Sequence, residues 1–78
     1  MAYDYSAHAV KIEAMLRQYR HELAAVAIED AILGGATSTE ILMALRHVLR
    51  GQLKTLKLPH SITTEMKALI YMIDKSGV

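Results

Sequence analysis

The sequence predicts an all-α fold: a single small domain of three to four helices spanning residues 1–78. Three observations predict it. No stretch alternates apolar and polar residues with the two-residue period of a half-buried strand. Residues 6–33 contain neither glycine nor proline and are rich in good helix formers. Glycines and the one proline fall between the periodic segments, at Gly34-Gly35, Gly51, Pro59 and Gly77.

In the first segment Ile12, Leu16, Tyr19, Leu23 and Val26 recur at steps of four and three, which sets them on one helical face. In that register Val10, Ala25, Ile28 and Ile32 lie opposite. One straight helix would be apolar on two sides, so either the run over 6–33 bends near Arg20-His21-Glu22 into two helical segments, the preferred reading, or its second side meets another surface. Gly34-Gly35 then ends the run, because glycine tolerates the left-handed backbone that closes a helix. Thr37-Ser38-Thr39-Glu40 has the form of a capping box, a hydroxyl for one free N–H and a carboxylate for another. Behind it Ile41, Leu42, Leu45, Val48 and Leu49 mark a helix over 38–50, closed by Gly51. Residues 51–60 read as a connection, since Pro59 disfavours helix at Leu58, and Leu53, Leu56 and Leu58 pin it to the core. Ser61 or Thr63 caps a last helix over 61–75 with Ile62, Met66, Leu69, Ile70 and Ile73 inward, ended by Gly77.

Composition excludes several functions. A chain of 78 residues buries only about 60% of the surface its unfolded form exposes. Without cysteine there are no disulfides and no thiolate metal sites, and a cytoplasmic location is expected. The longest apolar run falls well short of the roughly 18 residues of a membrane span. Met1-Ala2-Tyr3-Asp4-Tyr5-Ser6 shows no basic flank before an apolar core, so no secretion signal is read. His8, His21, His47 and His60 are never four apart and form no ligand motif, which predicts solvated histidines and no metal. There is no nucleophile elbow and no phosphate-cradling glycine loop, and Glu29 and Asp30, as helix neighbours, point apart. No enzyme, cofactor or small-molecule ligand is expected. Met1, Met15, Met43, Met66 and Met72 read as core filler, with Met43 and Met72 suited to an adaptable contact surface where exposed.

Charge is uneven although the net is only +1. Residues 1–45 sum to −3, whereas Arg46, Arg50, Lys54 and Lys57 stand without an acid between them, giving +4. A solvated helix end explains that cluster, cations favouring a helix C-terminus. The sharper reading is contact with phosphate or with an acidic partner.

The order helix, glycine turn, capped helix, connection, last helix is that of a helix-turn-helix domain. Asp30-Ala31-Ile32-Leu33-Gly34-Gly35-Ala36-Thr37-Ser38-Thr39-Glu40-Ile41-Leu42-Met43-Ala44-Leu45 resembles the DUF2285 pattern L-D-x-x-L-A-G-A-S-x-R-E-I-A-x-A-L. That family is an extended-turn helix-turn-helix variant. Asp30, Leu33, Gly35, Ala36, Glu40, Ile41, Ala44 and Leu45 match, with Thr37 for the usual serine. The resemblance implies that Leu33, Ile41 and Leu45 supply core, Gly35 the turn, and Thr37 with Glu40 the cap. Glu29 stands where the family has leucine and Thr39 where it has arginine.

The family includes activators of conjugative-element transfer and short single-domain anti-activators from rhizobia that silence them. This chain resembles the short kind. DNA-binding members carry an arginine-rich last helix, whereas here it offers only Lys67 and Lys75, which predicts no specific DNA binding. The resemblance implies a transcriptional activator as protein partner, bound by mimicry of the activator's own domain. Val10, Ile28 and Ile32, off the presumed core stripe, are the candidate partner contacts. The second reading is a small DNA-binding regulator that uses Arg46, Arg50, Lys54 and Lys57.

Overall fold

The computed structural model describes residues 3–78; Met1 and Ala2, with their part in the secretion-signal and methionine readings, lie outside the described residues. The fold is all-α, four helices with no strand among the described residues: α1 Tyr5–Gln18, α2 Glu22–Gly34, α3 Ser38–Thr55 and α4 His60–Lys75. Each packs on two others, α1 and α3 both lying against α2 and α4, so the helices close into a ring. Tyr5 Oη donates to the Met72 carbonyl at 3.4 Å and His8 pairs with Glu65, so α1 runs up as α4 runs down. Gln52 near the end of α3 donates to the Ala24 carbonyl near the start of α2, which sets those two antiparallel as well.

The expected bend is a full break. Arg20 takes φ 64°, His21 N–H donates to the Leu16 carbonyl at 2.8 Å and Arg20 N–H to that of Arg17 at 3.0 Å. Those two bonds form a Schellman motif, with arginine at the left-handed position that glycine usually fills. The break resets the helical phase, which corrects the inner stripe. Ile12 and Leu16 are buried, but Tyr19, Leu23 and Val26 are exposed. In α2 the buried residues are Ala24, Ala25, Ile28 and Ala31, of which the sequence register sets Ala25 and Ile28 opposite the inner stripe. The error has a physical source. In α2 Leu23, Val26 and Leu33 face out, while Ile28 faces in among three alanines that let neighbouring helices approach.

The glycines act differently from expectation. Gly35 ends α2 with φ −86° and ψ 136°, ordinary extended backbone rather than left-handed. Its role is steric, because Ile41 packs against the place of its missing side chain. Gly51 does not stop α3, which continues through it to Thr55, since inward-facing Gln52 and half-buried Leu53 carry the apolar face one turn further. Of the four glycines only Gly77 takes a positive φ. At the start of α3, Thr37 Oγ1 accepts the Glu40 N–H at 3.2 Å, as expected of the cap. The Glu40 carboxylate takes the Thr37 hydroxyl instead of its backbone N–H, so only half of the box forms.

The connection to α4 is shorter than expected, residues 56–59, with Leu56 and Leu58 half-buried against the core; Leu53, also half-buried, belongs to α3 instead. Pro59, not Ser61 or Thr63, stands at the N-cap of α4; its fixed φ of −56° suits helix entry. Thr63 donates back to the His60 carbonyl at 3.1 Å. Ile12, Leu16, Ile28, Leu45, Leu49, Ile62, Met66, Leu69 and Ile73 are fully buried and fill the centre of the ring. Gln52 is the polar intruder: its amide nitrogen serves Ala24, while its Oε1 is buried without a partner.

Candidate protein-interaction face

The sequence candidates separate once placed. Ile28 is fully buried and Ile32 half-buried against the core, so neither offers a free contact surface; the reset phase of α2 turned both inward. Val10, 54% exposed on α1, remains on the surface. Leu33, expected as core from the motif, is 75% exposed, and Ile41 is half-buried; Leu45 alone of the three is fully enclosed.

The surface that sequence reasoning missed is the outward face of α2. Leu23 is 88% exposed, Val26 is exposed, Asp30 is exposed, and Leu33 ends the row. Steps of three, four and three residues keep these four side chains on one stripe, about 15 Å from Leu23 to Leu33. Large apolar side chains on an outward helix face, with polar neighbours, mark contact surfaces. The signal was present in the sequence as the second apolar side of residues 6–33. What was missing was which side faced in.

Carboxylates edge this stripe. Glu22 and Glu29 on α2, with Glu13 on α1, surround the Arg17 guanidinium; Nε meets Glu22 at 2.9 Å and Nη2 meets Glu29 at 3.5 Å, while Nη1 donates to Glu13. The hydrogen bonds Arg17 donates to Glu22 and then Glu13 raise its pKa above the ordinary value. One cation faces three anions, so the α1–α2 side keeps negative charge.

The opposite side, α3 with α4, holds the basic cluster. Asp74 bridges Arg46 (2.9 Å) and Arg50 (3.4 Å), and Arg46 also donates to the Val78 carbonyl. Two of the four cations named from the sequence are thus engaged in fastening α3 to α4. Lys54 and Lys57 are exposed and make no ion pair among the described residues. On α4, Lys75 lies 5.4 Å from the Tyr71 ring centre, a cation–π distance. Met43 on α3 is exposed, Met72 half-buried and Met66 core.

His8 departs from the solvated reading. Its ring lies between α1 and α4 with the side chain 10% exposed, Nε2 2.9 Å from Glu65 and Nδ1 paired with the Tyr3 hydroxyl. The His8 hydrogen bond, then Lys11, hold the Glu65 carboxyl below its ordinary range. Burial, then Glu65, push the Tyr3 hydroxyl up. Among the described residues no three His, Asp or Glu side chains gather as a metal site, and no helix is long and apolar enough to cross a membrane. A hollow of ≈ 480 Å³ lies between the starts of α1 and α3, lined by Tyr3, Asp4, Ser38 and Ile41 among others. Its one carboxylate, Asp4, is already committed to the Ala7 N–H as the cap of α1.

In comparisons with known proteins no family model, no curated protein and no solved structure matches this chain. The resemblance to DUF2285 rests on residues 30–45, where Gly35 makes the turn and Thr37 the cap, but Leu33 faces solvent and Ile41 is only half-buried.

Proposed function

We propose that this protein is an anti-activator: a small helical interaction module that binds a transcriptional activator in the cytoplasm and blocks it, without chemistry of its own. The observation that carries the reading is the outward stripe Leu23–Val26–Leu33 on α2, which the fold leaves uncovered while Ile28 and three alanines fill the core side. The resemblance to single-domain anti-activators supplies the kind of partner. Micromolar binding corresponds to about 8 kcal/mol, within reach of a few buried leucine anchors and their surroundings.

DNA binding is the weaker reading, because Asp74 engages Arg46 and Arg50 and α4 exposes only Lys67 and Lys75 as cations. The test is co-expression with the activator and a reporter promoter. Leu23→Asp and Leu33→Asp should keep the wild-type circular dichroism spectrum and lose repression. Full repression by both folded variants rejects this face. A specific shift of promoter DNA at about 150 mM salt that needs Lys54 and Lys57 would replace the reading with the DNA-binding one, since phosphate-only contacts fade at that ionic strength.

A further inference from the structure

We infer that the outward face of α2 receives a single helix of the partner, an amphipathic helix whose apolar seam is flanked by lysine or arginine. This rests on the interaction reading above and specifies the chemistry of the partner at that face. The stripe Leu23, Val26, Asp30, Leu33 steps by three, four and three, the a-d-a-d spacing of two heptads. A helix face with that spacing packs a second helix at a shallow angle, side chains set between side chains. In the same register Glu22 and Glu29 occupy both g positions and Ala27 an e position, so one flank is acidic and the other low enough for close approach.

The charges select the occupant. Glu22 and Glu29 are 66% and 46% exposed and share the one Arg17 guanidinium with Glu13. Asp30, within the seam between Val26 and Leu33, has no ion pair or hydrogen-bonded side chain among the described residues. Flanking charges set which helix pairs with which, and a polar group in the seam fixes register. A cation on the partner opposite Asp30 satisfies it. A second copy of this chain brings the same three carboxylates to the seam and repels, and a polyphosphate backbone is repelled for the same reason.

Two fluorescein-labelled synthetic peptides of about three heptads test this. Both carry leucine at a and d. One has lysine at e, g and the seam position facing Asp30; the other has glutamate there. Anisotropy titration with the full chain should show the lysine peptide binding about tenfold more tightly at low salt, the gap narrowing as salt rises. Asp30→Lys should close that gap and Leu23→Asp should abolish both complexes, each with an unchanged circular dichroism spectrum. In the reporter assay Asp30→Lys should weaken repression. Equal binding of the two peptides, or tighter binding of the glutamate one, overturns the inference. So does a micromolar homodimer, seen by sedimentation, that Leu33→Asp dissolves. Lost repression in Leu23→Asp beside full repression in Asp30→Lys overturns the basic partner and leaves the interaction reading standing. Full repression in Leu23→Asp and Leu33→Asp removes both.

Discussion

Gly35 and Ile41 meet so closely that a Cβ on the glycine would stand 2.5 Å from Ile41 Cγ1 and 2.9 Å from its backbone nitrogen. The second distance decides the outcome, because a backbone atom at the start of α3 cannot swing aside as a side-chain end can. Gly35→Ala should therefore destabilise the protein by about 1–3 kcal/mol, the usual cost of overpacking. Gly51→Ala is the internal control. Nothing lies within 4 Å of a Cβ there and the residue is mid-helix, so it should stabilise by about 1 kcal/mol. Urea melts of the two variants should move in opposite directions.

Arg20 holds a left-handed conformation at the junction of α1 and α2, with φ 64°. An L-residue with a side chain is strained there by about 1–2 kcal/mol relative to its right-handed form, and glycine is not. Arg20→Gly should raise the thermal midpoint, since no ion pair of Arg20 is lost among the described residues. A lowered midpoint would show that the side chain contributes more than the strain costs.

Ile28 and Leu33 separate the two faces of α2. Ile28→Ala should cost about 2–5 kcal/mol, because a fully buried side chain leaves a cavity. Leu33→Ala, from a 75% exposed position, should stay within about 0.5 kcal/mol of the wild type. Chemical denaturation reads both directly. The two variants also keep stability effects apart from losses of partner binding.

Acid should loosen the seam between α1 and α4. The His8 hydrogen bond, and after it the Lys11 charge at 3.5 Å, outweigh burial and hold the Glu65 carboxyl below its ordinary value of 4.5. The folded form thus gives up that proton more readily than the unfolded chain. The stabilisation is present above 4.5 and is lost as pH falls through the lower folded-state value. Thermal melts taken from about pH 6 down to about pH 3 should show a steeper acid fall for the wild type than for Glu65→Gln.

By itself the sequence determined the helical class, the turn at Gly35, the Thr37 cap and the inner faces of α3 and α4, while a bend near Arg20 was one of two readings it left open. Those features are local, or depend on a period in which large apolar residues alternate cleanly with polar ones. Leu42, Leu45 and Leu49, or Ile62, Met66, Leu69 and Ile73, leave only one way to face inward. The tertiary structure alone decided the orientation of α2. Apolar residues occur all round that helix, and hydrophobicity cannot choose between Leu23 and Ala24. Close packing can, because α2 approaches both α1 and α3, and only Ala24, Ala25, Ala31 and one isoleucine, Ile28, fit between them. That choice drew Ile28 out of the candidate site and put Leu23 and Leu33 into it. The cations at Arg46 and Arg50 were likewise legible as charges, but not as a clamp. Asp74 is 28 residues from Arg46 in sequence, and only the packing of α3 against α4 brings the two within 2.9 Å.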